Sequence, residues 1–92
     1  MAISRADRSR DREDRVVAVF GEDRAARVLD VLELVELAWH DCYGDISPSG
    51  EQVDDMLLLS DGSFEKLIGA ARLAVTDWRD LKVAADVRRA HP

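Results

Sequence analysis

The chain is 92 residues long and 47% apolar, and its nineteen acids against thirteen lysines and arginines give it a net charge of −6. That is one domain's worth of chain, and its longest apolar run, Val16 to Phe20, falls far short of the roughly 20 residues a membrane span requires. The single cysteine, Cys42, excludes an intrachain disulfide, and the polar start Ile3-Ser4-Arg5-Ala6-Asp7-Arg8 lacks the apolar stretch of a signal peptide, so a cytoplasmic location is expected.

The charge is unevenly spread. No lysine or arginine lies between Arg27 and Lys66, a stretch that holds ten acids, while the first 27 residues sum to +1 and the last 27 to +3. An acidic middle suits a basic partner, a divalent cation or simple solubility. Eleven arginines against two lysines, with abundant Ala, Val and Asp, point to GC-rich coding DNA and a bacterial source.

Residues 1–15 alternate arginine with acid and carry almost nothing apolar. They read as a charged N-terminal arm, disordered or an exposed helix laced by local ion pairs, preceding a single helical domain over 16–92. The arm's near-neutral sum argues against a nucleic-acid tail. Val16, Val17, Val19 and Phe20 then fit one helical face, and Gly21 breaks the chain.

A long helix is predicted from Glu22 to Tyr43. Asp30, Glu33, Glu36, His40 and Asp41 share an arc of ~140°, interrupted by Leu37, and an arc of ~220° is apolar, wider than the ~100° stripe of an ordinary surface helix. That apolar arc holds Val28, Leu29, Val31, Leu32, Leu34, Val35, Ala38, Trp39, Cys42 and Tyr43. Such a helix needs several neighbours, and in so short a chain one of them is expected to be another subunit. On the wheel His40 and Cys42 sit about 200° apart, so they cannot form a ligand or catalytic pair within the helix. His40 pairs with Glu36 at i, i+4, and Cys42 reads as a buried small hydrophobe.

Gly44 to Gly50 is a loop, and Ser49-Gly50-Glu51-Gln52 is a capping-box pattern opening a short helix over Glu51–Ser60, with Val53, Met56, Leu57 and Leu59 inward. A calcium loop over Asp41–Gln52 fails, because Tyr43, Ile46 and Gln52 occupy positions that need an acid, Gly and Glu. Asp61-Gly62-Ser63 is a tight turn with Ser63 as the next cap. The last helix begins near Phe64. Phe64, Leu67, Ile68, Ala70, Ala71, Ala74, Val75, Trp78, Leu81 and Ala85 share one arc of about 160°, whereas Val83, Ala84 and Val87 fall on its polar side, where the end frays or meets something outside the chain.

Two acid pairs stand out: Glu33 with Glu36, and Glu51 with Asp54. Acids three apart share a helix face, and two such pairs on facing helices offer Mg²⁺ four hard oxygen ligands. Their spacing resembles the E-x-x-E…E-x-x-D signature of the MazG-type all-α nucleoside triphosphate pyrophosphohydrolases, over Glu33 to about Leu59. The resemblance implies a dimeric helical enzyme with these four residues as metal ligands and a metal-activated water as nucleophile. The chain departs from that pattern in having no basic residue near the pairs until Lys66.

The expectation is therefore an all-α protein, a small bundle of three to four helices completed by dimerisation or a partner protein. The leading function is a non-enzymatic interaction module, an accessory or regulatory subunit. Its interface would be Val28, Val31, Leu32, Val35 and Trp39 on the first long helix, with Ala71, Val75 and Trp78 on the last. It needs no cofactor. The alternative is the Mg²⁺-dependent pyrophosphohydrolase using Glu33, Glu36, Glu51 and Asp54.

Overall fold

The computed structural model describes residues 5–44 and 48–91, and all of their regular structure is helical: α1 Arg5–Phe20, α2 Glu22–Tyr43, α3 Gly50–Ser60, α4 Phe64–Thr76 and α5 Trp78–Ala90. The expected loop residues 45–47 and the first four residues of the arm lie outside the described residues. α1 runs without a break across the boundary expected between arm and domain at 15/16, so the two are continuous in secondary structure. Val16 and Phe20 at its C-terminal end are buried and anchor it.

Three of the four junctions have a local cause. Gly21 adopts φ 83°, ψ 163° between α1 and α2, a conformation open to glycine and strained for any side chain. Gly44 closes α2 in the left-handed region, its N–H donating to the His40 carbonyl at 2.9 Å. The capping box at α3 forms as its residues predict: Gln52 N–H donates to Ser49 Oγ at 3.2 Å, and Ser49 N–H to Gln52 Oε1 at 2.7 Å. Ser63 caps α4 by accepting from Lys66 N–H.

The expected single last helix is two helices. Asp77 is extended, with φ −158° and ψ 102°, and its carboxylate caps α5 by accepting from Arg79 N–H at 2.9 Å. No proline or glycine marks the break, so nothing in the local sequence forces it.

α2 packs on α1 and α4, while α3 packs on α1, α4 and α5, and α2 and α3 share at most a marginal contact with each other. One core joins all five helices through Val16, Phe20, Val28, Leu32, Val35, Trp39, Val53, Met56, Leu57, Leu67, Ala74 and Leu81. The radius of gyration is 12.5 Å, against about 12 Å for a compact single domain of this length. No helix among the described residues is long and apolar enough to cross a membrane.

Candidate functional site

The residues expected to form an interface are interior. Val28, Leu32, Val35, Trp39 and Ala71 are buried in the chain's own core, and Val31, Val75 and Trp78 are half-buried against it. The reason is α1: it folds back along α2 while α4 covers another flank, so the wide apolar arc finds its neighbours within one chain. The arc is not covered completely. Leu34 is 66% exposed, as is Leu37 at 63% on the acidic side, and Cys42 is exposed rather than buried. Exposed Asp30, Glu33, His40 and Asp41 share that outward face. On α5 Leu81 and Ala85 are buried, and Val83 and Val87 face outward, 60% and 56% exposed, as their positions on the wheel predict.

The four carboxylates of the metal reading are not brought together. Glu33 and Glu36 stand on α2 and Glu51 and Asp54 on α3, helices that do not pack face to face. Two of the four are occupied by arginines of α1. Arg12 Nη1 donates to Glu36 Oε2 at 2.8 Å. Arg15 Nη1 donates to Asp54 and to the Gly50 carbonyl, and its Nε donates to Asp11 at 2.8 Å. Asp54 above all, then Asp11, holds the Arg15 guanidinium above its ordinary range, with burial opposing. Glu33 and Glu51 remain exposed on separate helices. Among the described residues no group of three or more His, Cys, Asp or Glu side chains is placed to hold a metal ion. The charged arm thus meets the acidic middle of its own chain. Half-exposed pairs of this kind contribute roughly 0.2–1 kcal/mol each.

Two further clusters are invisible at the level of motifs. Asp55 is buried, its side chain 7% exposed, and it accepts from Arg89 Nη2 at 2.7 Å. Neighbouring Arg88 donates to Asp61 at 2.6 Å, so the dibasic end of α5 clasps both the middle and the end of α3. Consecutive Asp54 and Asp55 therefore grip α1 and α5 respectively.

The second cluster is at the α4–α5 break. Tyr43 Oη donates to the Ala74 carbonyl at 2.7 Å and accepts from Trp78 N–H at 3.2 Å. In an unbroken helix those two backbone groups would bond each other. The phenol is inserted into the ladder in their place, steadied by the Trp39 ring with centroids 4.6 Å apart. Burial raises the Tyr43 pKa above its ordinary value, and the hydrogen bond from Trp78 partly offsets this.

No protein-family model matches the chain, and comparison with curated proteins and with solved structures finds no match.

Proposed function

We propose that the chain is a non-enzymatic interaction module that engages a protein through the outward face of α2. The observation that supports this reading is the pair Leu34 and Leu37, three residues apart on one helix and each about two-thirds exposed, while the core residues between and around them are covered. Burying a leucine from full exposure contributes roughly 1.5–3 kcal/mol, so two partly exposed ones supply enough to anchor a helix or groove. Exposed acids at positions 30, 33 and 41 frame them, which favours a partner with basic residues around an apolar centre.

The test is a Leu34→Gln/Leu37→Gln variant. Complexes with proteins of the native host, measured by absolute mass, should weaken by more than about tenfold, while thermal stability stays within about 1 kcal/mol of the parent. Complexes of unchanged affinity, or a parent protein that forms none at all, would contradict the reading.

The nucleotide-hydrolase reading has a specific obstacle in the ion pairs of Glu36 with Arg12 and of Asp54 with Arg15. A Mg²⁺ or Mn²⁺ titration followed by thermal shift is expected to give no stabilisation, and a Glu33→Gln/Glu36→Gln variant to respond as the parent does. Metal-dependent stabilisation that this variant loses would restore it.

A further inference from the structure

The α4–α5 break is interrupted backbone within a continuous pattern. Ten residues between Phe64 and Ala85, among them Leu67, Ala74, Trp78 and Leu81, share one apolar arc when wound as a single helix, and the hinge is one residue, Asp77. The helical i→i−4 bonds survive on both sides of it: Asp77 N–H reaches the Leu73 carbonyl at 2.8 Å, and Leu81 N–H reaches the Asp77 carbonyl at 3.3 Å. Between them, Trp78 N–H is diverted to Tyr43 and Arg79 N–H to the Asp77 carboxylate. Two side chains thus hold apart what the backbone is otherwise ready to join.

We propose that α4 and α5 fuse into one helix in a second conformation, and that α5 then docks on α3 of a second copy, which returns its own α5 in exchange. The occupant of the groove is set by the fold itself. The surface α5 leaves is built for α5, with buried Asp55 facing Arg89 and Asp61 facing Arg88. Exchange re-forms both pairs between copies, and Leu81 and Ala85 return to an equivalent core. Only the hinge changes. In the fused helix the Ala74 carbonyl and Trp78 N–H satisfy each other, so the dimer does not need the Tyr43 hydroxyl and the closed monomer does. A short hinge between two long elements is the ordinary setting for such exchange. The proposal is independent of the Leu34–Leu37 face, whose residues lie on α2 and take no part in it.

The test is the dimer fraction by sedimentation, after equilibration from denaturant at fixed concentration. Tyr43→Phe should raise the dimer association constant at least about tenfold, since the monomer alone loses two hydrogen bonds. Asp77→Ala should raise it too, removing the cap and favouring helix. Asp77→Asn keeps a capping oxygen and should behave as the parent. Leu34→Gln/Leu37→Gln should leave exchange unchanged.

A second measurement separates exchange from surface association. Lys66 and Arg88 both approach Asp61. In the fused helix the same two positions stand about 33 Å apart within one chain. A Cys42→Ser/Lys66→Cys/Arg88→Cys chain carrying Tyr43→Phe, joined by a short bismaleimide, should give cross-links between chains in the isolated dimer. Cross-links confined within chains, or Tyr43→Phe and Asp77→Ala proteins as monomeric as the parent, would overturn the proposal.

Discussion

Tyr43 and Asp55 each do at the residue scale what no motif announces. Tyr43 bridges Ala74 and Trp78, and replacing it with Phe leaves a carbonyl and an N–H without that partner. Equilibrium unfolding in urea should register a loss of about 1–2 kcal/mol. The pH dependence has a definite sign. Because the folded-state pKa of Tyr43 is raised above the unfolded value of about 10, its contribution is fully present below pH 10 and is lost as pH rises through the folded-state value. The parent should therefore lose more stability than the Phe variant between pH 9 and 11, and equal losses would count against the inserted phenol. At Asp55 the two partners are unequal. Arg89 is 46% exposed and rehydrates when left alone, whereas the Asp55 carboxylate is buried. Arg89→Ala should consequently destabilise by about 1–3 kcal/mol and Asp55→Ala by less, a difference that thermal melts of the two proteins resolve.

At the scale of elements, what could be read in advance was whatever is decided locally. The bounds of α2, the paired hydrogen bonds of Ser49 and Gln52, and the left-handed Gly62 before Ser63 all follow from residues within a few positions of one another. The break at Asp77 does so only in part: the Asp77 carboxylate that caps α5 is local, but the hydroxyl that bridges the gap lies 34 residues upstream. The placement of α1 was hidden in the same way. Arg12 and Arg15 find Glu36 and Asp54 across 24 and 39 residues, so an arm that looks solvated in sequence is pinned by partners no local pattern identifies. The width of α2's apolar arc, and its need for several neighbours, is legible in the sequence; that α1 is one of those neighbours is not. The turn between these helices offers its own check. Nothing lies within 4 Å of a side chain added at Gly21, so Gly21→Ala tests conformation alone. Its φ of 83° with ψ of 163° predicts a loss of about 1–3 kcal/mol in chemical denaturation, and a neutral result would show that α1 and α2 meet at a different angle.

For the molecule as a whole, the division between interior and surface along α2 carries the account. Leu32 is 1% exposed and Leu34, two residues on, is 66% exposed. If the core is closed by this chain alone, their roles separate completely. The direct measurement is the urea unfolding free energy of Leu32→Ala and Leu34→Ala at low micromolar concentration, where folding is isolated from association. Leu32→Ala should lose about 2–5 kcal/mol and Leu34→Ala no more than about 0.5 kcal/mol. Comparable losses at the two positions, or a parent midpoint that rises steeply with protein concentration, would mean that a second chain completes the core.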